Sequence, residues 1–499
     1  MKYISTRGNY KKVDSAEAIR LGMVPAGGLF VPENVPEFTL KEIEQMKTDK
    51  YQEIADKVLK KYLTDFTEQE LSEVIEKAYN RKNFDAAEIA PLQKLNQYTY
   101  ILELWKGPTA AFKDMALQLM PHLLIKAVEK GNISREIVIL VATSGDTGTA
   151  ALEGFKNVEG VQIIVFYPAE GVSKIQEAQM VTVDGNNTEV VAVEGNFDDC
   201  QNAVKEIFGD RRFNQLVKLN NYQFSSANSI NWGRLVPQIV YYFAAYAKLL
   251  QRGEIEAEDK INITVPTGNF GNILAAYYAY RMGLPVKNFI CASNENNILT
   301  DFLQTGIYDM ERQFKKTISP SMDILISSNL ERFLFEMNGH DSNKIKQWYS
   351  QLQHEHKFEI DDATKANINN IFVGEYATES ETMAAINETF NQYNYTVDPH
   401  TAVGIKSYQK YLNQFEDKTL TVIDSTANPY KFGKAVLESL TEEVEQEDEF
   451  RLLHQLKNLT GMEIHRALQG LEDEPVRHKR NCKSSEIKTE LKDILGIKQ

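Results

Sequence analysis

The chain has 499 residues, of which 42% are hydrophobic and 25% are charged, and its formal net charge is -15. A chain of this length is expected to form two or three domains, and the composition is ordinary for a soluble globular protein. The negative charge argues against nucleic acid or an anionic membrane as the main partner, but it allows a local basic pocket that binds an anionic small molecule.

Cysteine use and the N-terminal sequence bear on the cellular compartment. The three cysteines, Cys200, Cys291 and Cys482, are far apart and lack CxxC spacing, which favours isolated reduced thiols over a disulfide framework or a zinc site. The opening MKYISTRGNYKK lacks the apolar core of a signal peptide, and no run of about 18 apolar residues suggests a membrane span. We predict a cytoplasmic protein with no metal site.

The predicted elements begin with a helical region. Residues 36–91 are rich in Glu, Lys, Leu and Ala, with apolar positions three and four residues apart. From about residue 95, apolar and β-branched runs alternate with helical stretches, and these runs cover residues 98–104, 136–143, 161–168, 189–195, 261–267 and 288–294. The alternation predicts βαβ units and therefore an α/β fold, in which a mostly parallel sheet has helices on both faces.

The remainder of the chain completes a three-part organisation. Residues 345–392 are predicted to be helical, residues 420–426 to form one more buried strand, and the acidic run near residue 441 to precede amphipathic segments. The predicted domains are a mainly helical N-terminal domain over 1–95, an α/β core over 96–440 and a helical extension over 441–499. The core is expected to have two lobes, the smaller spanning about residues 110–230.

Two glycine-rich turns share one layout. In LVATSGDTGTAALEGF and ITVPTGNFGNILAAYYAY, an apolar strand turns through glycines into an alanine-rich helix. Glycine lets the backbone approach a ligand closely, and a helix N-terminus presents unpaired N–H groups to an anion. Each turn is therefore predicted to bind a phosphate or a carboxylate, although an ordinary strand-to-helix turn is the alternative for either one alone. Neither turn fits a nucleotide-binding fingerprint.

Lys113 lies in the stretch GPTAAFKDMALQLM, at the start of a predicted apolar helix. The first turn of a helix, apolar neighbours and nearby cations would each lower the pKa of its amine. A neutral amine attacks aldehydes, and enzymes use such lysines to form Schiff bases, whereas a solvent-exposed lysine is the alternative. One such lysine combined with two anion-binding turns favours a phosphorylated aldehyde cofactor, and pyridoxal phosphate is that cofactor.

A pyridoxal site also needs a group that faces the pyridine nitrogen. The segment DSTANPYKFGKAV supplies Ser425 and Thr426 at the carboxyl end of the last predicted strand, where α/β sheets place ligand contacts. Taken alone, such a pair more often forms a turn or caps a helix.

Seven segments in order resemble the threonine synthase family: GPTAAFKD, ATSGDTG, GNFDDCQ, NSINWGRL, PTGNFGN, SPSMDILISSNLER and DPHTAVG. The resemblance runs from the opening STRG through STANPYKF, covers nearly the whole chain in the family's order, and is closest to the longer branch of bacteria and fungi. It implies a fold-type II pyridoxal-phosphate enzyme of the tryptophan synthase β family, a carbon–oxygen lyase that acts on phosphate.

The resemblance implies roles for individual residues. Lys113 would be catalytic and form the Schiff base with pyridoxal phosphate, and Thr426 would face the pyridine nitrogen. Backbone N–H groups of Gly268, Asn269, Phe270, Gly271 and Asn272 would hold the cofactor phosphate. The substrate amino acid would contact Ser144, Gly145, Asp146 and Thr147, and its phosphate would contact Ser173, Lys174, Gln176, Asn228, Ser229, Asn231 and Arg234. Arg234 is the best anchor, because a guanidinium matches phosphate oxygens in a bidentate fork.

Two positions depart from the family pattern. Many relatives have histidine before the GPT motif, where this chain has Lys106, and histidine where this chain has Asn428. The change at position 428 puts an acid–base or stacking role there in doubt. Lys106 could bind an anionic substrate or lie at the surface.

The implied reaction converts O-phospho-L-homoserine and water to L-threonine and inorganic phosphate, the last step of threonine biosynthesis. It proceeds by γ-elimination and then addition of water at the β-carbon, and Lys113 would remove the α-proton. Three alternatives stay open: a related threonine or serine dehydratase, a non-catalytic relative that binds the cofactor or phosphorylated ligands, and a phosphate-binding α/β enzyme without pyridoxal. The expected partner is the small-molecule substrate, with no nucleic acid or membrane, and the chain could be a monomer or a homodimer.

Overall fold

The computed structural model describes residues 1–143, 145–444 and 448–497. Its N-terminal elements are β1 (Tyr3–Ser5), α1 (Ser15–Leu21), β2 (Phe30–Pro32), α2 (Leu40–Gln45), α3 (Tyr51–Tyr62) and α4 (Glu68–Ala78). The buried apolar faces of α3 and α4 account for the predicted helical region. This region ends at Ala78 rather than near residue 91, because the amide of Asn83 takes up the final carbonyl of α4 at 2.9 Å.

The next part of the chain builds two strands of a larger sheet and most of a smaller one. Its elements are β3 (Leu92–Lys94), β4 (Thr99–Glu103), α5 (Asp114–Leu117), α6 (Met120–Lys130), β5 (Glu136–Ala142), α7 (Asp146–Phe155), β6 (Val161–Pro168), α8 (Lys174–Val181), β7 (Thr188–Glu194), α9 (Phe197–Gly209), α10 (Arg211–Leu219), β8 (Tyr222–Ser225) and α11 (Trp232–Arg252). The apolar sequences EIVILVA and VQIIVFYP make β5 and β6 suited to burial on both faces, and both strands are largely buried.

The following part completes the larger sheet. Its elements are β9 (Ile261–Pro266), α12 (Gly271–Arg281), β10 (Val286–Ser293), α13 (Ile298–Thr305), β11 (Ile307–Asp309), α14 (Leu330–Met337), α15 (Ser342–Glu355), β12 (Lys357–Glu359), α16 (Asp362–Asn369), β13 (Phe372–Tyr376), α17 (Glu379–Tyr393), α18 (Pro399–Phe415), β14 (Thr421–Ser425) and α19 (Gly433–Leu440). The C-terminal part contributes α20 (Glu449–Thr460), β15 (Arg480–Lys483) and α21 (Ile487–Ile494). Short 3₁₀ helices cover Met46–Thr48, Pro320–Met322, Pro429–Phe432, Leu471–Asp473 and Ser484–Glu486.

The described residues form two large sheets and two sheets of two strands each. The larger sheet has six strands in the order β13-β10-β9-β14-β4-β3, and neighbouring strands are parallel except for β3 and β4. The smaller sheet has five parallel strands in the order β15-β7-β6-β5-β8. The predicted α/β fold, with mostly parallel sheets flanked by helices, is confirmed. No described helix is both long and apolar enough to cross a membrane.

The predicted strands are present, and their ends differ from the prediction by at most two residues. The helical prediction for residues 345–392 is incomplete, because the segment also contains β12 and β13. Strand β13 is short, and Gly374 and Glu375 interrupt its apolar pattern, so it lacks the signal of a buried strand. It nevertheless forms an edge of the larger sheet by pairing with β10.

The C-terminal part is not purely helical. Helix α20 packs against α19 and α8. The N–H groups of Arg477 and His478 donate to the carbonyl of Val181 at 2.8 and 3.1 Å, and β15 then pairs with β7. The sequence RNCK of β15 has no apolar run, so its strand character depends on this pairing. Residues 445–447 of the acidic run lie outside the described residues.

Candidate active site

The segments predicted to bind ligands follow the carboxyl ends of strands in both sheets. In the larger sheet these segments are residues 104–113, 267–272 and 426–432, and in the smaller sheet they are residues 143–147, 169–173 and 226–231. The carboxyl ends of parallel strands carry the ligand contacts of α/β proteins. Segments from both sheets contact one another around Lys113.

Lys113 is fixed against the segment that follows β14. Ala111 and Ala427 form a β-bridge, and the N–H of Phe112 donates to the carbonyl of Thr426 at 2.8 Å. Lys113 directly precedes α5, as the sequence predicts, although the predicted apolar helix is divided into α5 and α6. The backbone therefore holds the lysine close to the end of a central strand.

The Lys113 amine is largely buried and faces a carboxylate. Its Nζ atom lies 3.3 Å from Asp146 Oδ2 and 3.4 Å from Ser321 Oγ, and 11% of the side chain is exposed. Burial lowers the pKa of Lys113 and the positive charges of Lys431 and Arg234 lower it further, whereas Asp146 raises it. The structure therefore does not support the alternative in which Lys113 extends into solvent.

The turn after β9 presents unpaired backbone donors. The N–H groups of residues 268–272 donate no hydrogen bond to any residue that the structure describes. Phe270 has a φ of 59°, and a Cβ atom at Gly268 would lie 2.7 Å from the carbonyl oxygen of Ser321. Glycine at 268 therefore lets the Ser321 segment approach the turn. This geometry suits a phosphate, and the cofactor contacts of Gly268, Asn269, Phe270, Gly271 and Asn272 stay predictions.

The side chain of Asn272 anchors this turn to the core. Its Nδ2 donates to Asp424 Oδ2 at 2.9 Å, and its Oδ1 accepts from the hydroxyl of Tyr241. The Tyr242 hydroxyl lies 2.6 Å from both Asn272 Oδ1 and Asp424 Oδ2. Burial raises the pKa of Asp424 to about 7, although its hydrogen bonds with Tyr242 and Asn272 lower it. The carboxyl group of Asp424 is therefore mostly uncharged below neutral pH.

The two hydroxyl residues at the end of β14 have different surroundings. Ser425 Oγ accepts from Trp105 Nε1 at 2.9 Å and from Thr401 Oγ1 at 3.0 Å. Thr426 is buried, and its hydroxyl makes no hydrogen bond within the described part of the chain. Thr426 is therefore the hydroxyl that is free to contact a ligand, and its position facing the pyridine nitrogen stays a prediction.

The turn after β5 is balanced by side-chain charges. Gly145 has a φ of 135°, and a Cβ atom there would lie 2.4 Å from Gln176 Cδ. Asp146 Oδ1 accepts from Gln176 Nε2 at 3.0 Å, while Oδ2 faces Lys113. The N–H groups of Asp146 and Thr147 donate to no described residue, so they remain available to a carboxylate. The fourth predicted contact, Ser144, lies outside the described residues.

Helix α8 begins beside Asp146. Ser173 Oγ accepts from the N–H of Gln176 at 3.1 Å, and the N–H of Ser173 donates to Gln176 Oε1 at 3.3 Å, which is a capping box. Because Gln176 also donates to Asp146, the helix cap helps to orient that carboxylate. Lys174 makes no polar side-chain contact with the residues described. The phosphate contacts expected of these three residues stay predictions.

Arg234 on α11 is a buried cation without a counter-charge. It is 5% exposed, its Nη1 donates to the carbonyl of Ala227 at 2.8 Å, and its Nε has no hydrogen-bond partner among the described residues. No described carboxylate pairs with it. Burial lowers the pKa of Arg234 to about 10. Burying an unpaired guanidinium is costly, so the site suits an anion that supplies the missing charge.

The remaining predicted phosphate contacts precede Arg234. Ser229 Oγ donates to Asn228 Oδ1 at 3.1 Å and lies 3.0 Å from Ser328 Oγ. Asn231 is fully buried, and its side chain accepts from the N–H of Gly233 at 2.9 Å while donating to a carbonyl of α1. The side chain of Asn231 therefore caps α11, and its contact with substrate stays a prediction.

The sequence reasoning missed two residues that contact the Lys113–Asp146 pair. Lys431 Nζ lies 2.9 Å from Asp146 Oδ1, and Ser321 Oγ lies 3.3 Å from Asp146 Oδ2. His400 Nε2 accepts from the N–H of Ser321 at 3.2 Å, so that nitrogen carries no proton. A charged residue between aromatic neighbours just after a buried strand, as in PYKF, is a signal that could have identified Lys431.

The two departures from the family pattern have structural partners. Lys106 Nζ lies 2.9 Å from Glu103 Oε2 and 3.8 Å from the centroid of the Trp105 ring. Asn428 Oδ1 accepts from the N–H of Tyr430 at 3.0 Å, and its Nδ2 has no partner within the described residues. Among these residues, no hydrogen bond or ion pair joins Lys106 or Asn428 to Lys113.

The surroundings of Lys113 fit pyridoxal phosphate. Ser321 joins the amine to the phosphate turn, since its hydroxyl lies 3.4 Å from Lys113 Nζ and its carbonyl packs against Gly268. On the other side, Phe112 joins the lysine to Thr426, whose hydroxyl is free. An amine, unpaired backbone donors and an unpaired hydroxyl are the groups that an aldehyde, a phosphate and a pyridine nitrogen require.

Family comparisons match the chain in three successive segments. The profile described as "Threonine synthase N terminus" matches residues 2–79, and "Pyridoxal-phosphate dependent enzyme" matches residues 85–425. The profile "Threonine synthase, C-terminal" matches residues 401–480.

Curated relatives cover most of the chain. "Threonine synthase-like 1" of Homo sapiens is 42% identical over 436 residues, which are 85% of this chain and 58% of that protein. "Threonine synthase" of Pseudomonas aeruginosa is 38% identical over 437 residues, which are 87% of this chain and 90% of that protein. The chain therefore spans little more than half the length of the human relative.

Solved structures are similar over the full chain. Yeast threonine synthase is 32% identical with a TM-score of 0.89, and the match covers 99% of each chain. Pyridoxal-phosphate-bound threonine synthase from Brucella melitensis is 33% identical with a TM-score of 0.88, and the match covers 99% of this chain and 98% of that one. These matches confirm the predicted fold-type II architecture and the predicted pyridoxal-phosphate class.

Proposed function

The chain belongs to the threonine synthase family of pyridoxal-phosphate-dependent enzymes, and we propose that it converts O-phospho-L-homoserine and water to L-threonine and inorganic phosphate. The observation that carries this proposal is two separate sets of donors without partners among the described residues, together with one buried amine. The unpaired N–H groups of residues 268–272 suit a cofactor phosphate. The unpaired guanidinium of Arg234 suits the second phosphate, which a phosphorylated substrate brings.

Three groups would hold the cofactor. Pyridoxal phosphate, when bound, supplies an aldehyde that condenses with amines and a ring that withdraws electrons from the substrate. The N–H groups of residues 268–272 would bind its phosphate, Thr426 would face its ring nitrogen, and Lys113 would bind its aldehyde carbon. The neutral Thr426 hydroxyl cannot hold a proton on that nitrogen as a carboxylate would.

Lys113 would also carry protons. Because burial lowers the pKa of Lys113, the uncharged amine is more readily available to accept the proton from the substrate α-carbon. The ammonium form would then lie beside Asp146, whose negative charge would stabilise it and hold it in place. The amine held in this way would also be close enough to move the β-carbon proton and to reprotonate the product.

The substrate would be oriented at both ends. Its carboxylate would bind the free N–H groups of Asp146 and Thr147, beside Ser144 and Gly145. Its phosphate would bind Arg234, with further contacts from Ser173, Lys174, Gln176, Asn228, Ser229 and Asn231. The guanidinium would stabilise the negative charge that grows on the phosphate as it leaves.

We also propose the cellular setting and the domain organisation. The protein would act in the cytoplasm, as a monomer or a homodimer, in the last step of threonine biosynthesis. The net charge of -15 supports a small-molecule partner rather than nucleic acid or a membrane. The proposed domains are residues 1–95, 96–440 and 441–499.

The test is an assay of the purified, cofactor-loaded protein with O-phospho-L-homoserine, in which phosphate and threonine are measured together. We expect equal amounts of both from the wild type, and a loss of at least roughly 10³-fold in Lys113→Ala. Release of 2-oxobutyrate in place of threonine would identify a dehydratase instead. Bound cofactor without turnover would identify a non-catalytic relative, the alternative that the relatives named "threonine synthase-like" bring to attention.

A further inference from the structure

A second buried lysine faces the same carboxylate as Lys113. Lys431 lies in the 3₁₀ helix after β14, and its side chain is fully buried. Its Nζ lies 2.9 Å from Asp146 Oδ1 and donates to the carbonyl of Thr109 at 3.0 Å. Lysine is rarely buried without a strong partner, and within the described residues Asp146 is the carboxylate that pairs with it.

The two oxygens of Asp146 are divided between the two lysines. Oδ1 pairs with the ammonium of Lys431 and accepts a hydrogen bond from Gln176 Nε2 at 3.0 Å. Oδ2 lies 3.3 Å from Lys113 Nζ and 3.3 Å from Ser321 Oγ, so the contact of Lys113 is the longer one and is shared with a hydroxyl. Burial raises the pKa of Asp146, but Lys431 and then Lys113 hold it well below its usual range, so the carboxylate is ionised.

The charged groups that face Lys113 come from three other elements. Asp146 belongs to α7, Lys431 to the 3₁₀ helix after β14, and Arg234 to α11. His400 lies behind Ser321 and accepts that residue's N–H through Nε2, so it contributes no positive charge in this arrangement. Two lysines therefore share the carboxylate of Asp146, and Lys113 makes the longer contact, while Arg234 adds positive charge near Lys113 without pairing with a described carboxylate.

We propose that Lys431 is a positioning residue that takes up the charge of Asp146 and thereby leaves the Lys113 amine free to be uncharged. The proposal rests on the proposed function, in which an uncharged amine must react with the cofactor aldehyde. In a buried site, a carboxylate paired with one lysine alone would hold that lysine as an ammonium ion. A second lysine that is already paired competes for the carboxylate and repels a proton from the first.

Lys431 is also joined to the loop that carries Lys113. The carbonyl of Thr109 accepts from Lys431, while the N–H and hydroxyl of Thr109 donate to Asp114 at 2.8 and 2.7 Å. Asp114 is the residue after Lys113. The same lysine therefore fixes both the carboxylate that faces the amine and the loop from which the amine extends.

The test measures the reactivity of Lys113 in the full chain freed of cofactor. The protein is labelled with acetic anhydride over a range of pH, and the modified Lys113 peptide is quantified by mass spectrometry. Lys431→Met is expected to move the pH dependence of labelling upward and to slow labelling at pH 7 by roughly tenfold. Lys431→Arg keeps the charge and is the matched control, with labelling within about threefold of the wild type.

Asp146→Asn supplies an arm of opposite sign. Without the carboxylate, Lys113 faces two cations, so its labelling is expected to move to lower pH. Thermal unfolding identifies the folded variants. A folded Lys431→Met protein with the labelling profile of the wild type overturns the proposal. If that protein also binds inorganic phosphate more weakly, Lys431 is an anion ligand instead.

If Lys431→Met does not fold, Asp146→Asn decides. A labelling profile that is unchanged or moves upward in that variant overturns the proposal, and a downward shift supports it. The readout uses no substrate, so it is independent of whether the chain makes threonine.

Discussion

The two glycine turns have the same layout in sequence but different chemistry in the structure. The turn after β9 has N–H groups without a partner among the described residues, and the turn is held by the hydrogen bonds among Asn272, Tyr242 and Asp424. The turn after β5 carries Asp146, an ionised carboxylate held by two lysines and Gln176. The first turn offers a fixed set of backbone dipoles, and the second offers a balance of charges that a ligand can shift.

This difference follows from one residue type at one position. Asp146 opens α7, whereas the corresponding opening of α12 carries glycine and an asparagine whose side chain points into the core. A constant field suits an anion that stays bound, because nothing has to rearrange. A charge-balanced turn suits an anion that arrives and leaves, because the contact between Lys113 and Asp146 is long and is shared with the Ser321 hydroxyl.

The largest effect is expected on substrate binding, when the guanidinium of Arg234 is removed. Arg234→Ala should weaken substrate binding by roughly 2–4 kcal/mol, seen as a rise in KM of about 30- to 1,000-fold, with little change in cofactor affinity. Arg234→Lys keeps the charge without the fork and should lie between the alanine variant and the wild type. Steady-state kinetics and cofactor titration measure the two quantities. Equal losses of substrate and cofactor affinity would contradict the separation of the two sites.

An intermediate effect is expected from adding one methyl group to each turn. Gly268→Ala places a Cβ atom 2.7 Å from the Ser321 carbonyl and should weaken cofactor binding by about tenfold. Gly145→Ala meets Gln176 at a φ of 135° and should instead lower the free energy of unfolding by about 1–3 kcal/mol.

Gly253→Ala is the control for the methyl variants, because this residue has a φ of 67° and open space around it. Equilibrium dialysis of the cofactor and thermal unfolding separate the two expected effects. The comparison fails if Gly145→Ala weakens cofactor binding more than Gly268→Ala does.

The smallest effect on activity is expected at the anchor of the uncharged turn. Asp424 has its pKa raised to about 7 by burial, so the folded chain keeps a proton that the unfolded chain loses above about pH 4. The folded state binds more protons over this range, so stability falls as pH rises from about 4 to 7.

Asp424→Asn should remove this part of the pH dependence, gaining about 1–3 kcal/mol relative to the wild type at pH 7 while changing cofactor affinity by less than about threefold. Thermal unfolding of both proteins across this range measures the difference. Asp114, whose pKa burial also raises to about 7, is present in both proteins and does not affect the difference. Parallel stability curves would show that the anchor is charged after all.

The parallel sheets were predictable because their strands are continuous apolar runs of β-branched residues. EIVILVA and VQIIVFYP can only be buried between helices. Strands β13 and β15 were not predictable, since FVGEY and RNCK have little apolar periodicity and become strands only by pairing with β10 and β7. Their strand character depends on the tertiary structure around them.

The sequence indicated a site where backbone conformation and residue type coincide. Glycines at strand ends indicated both turns, and the apolar neighbours of Lys113 together with these two turns indicated the lysine, although their ligand contacts stay predictions. The sequence cannot reveal that Lys431 and Ser321, distant along the chain, meet the carboxylate of Asp146. It also cannot tell that Asn231 caps α11, because capping depends on a contact that forms only in the folded chain.

Strand β15 gives the smaller sheet a late partner in biosynthesis. It pairs with β7, which is synthesised almost 300 residues earlier. The strands of the larger sheet, in contrast, have all been synthesised once residue 425 has emerged from the ribosome. Until β15 has been synthesised and has paired with β7, the outer edge of β7 has unpaired N–H and C=O groups. Such an edge can pair with strands of other chains. Because β15 is synthesised after every strand of the larger sheet, the smaller sheet is completed last, and its open edge is sensitive to aggregation until then.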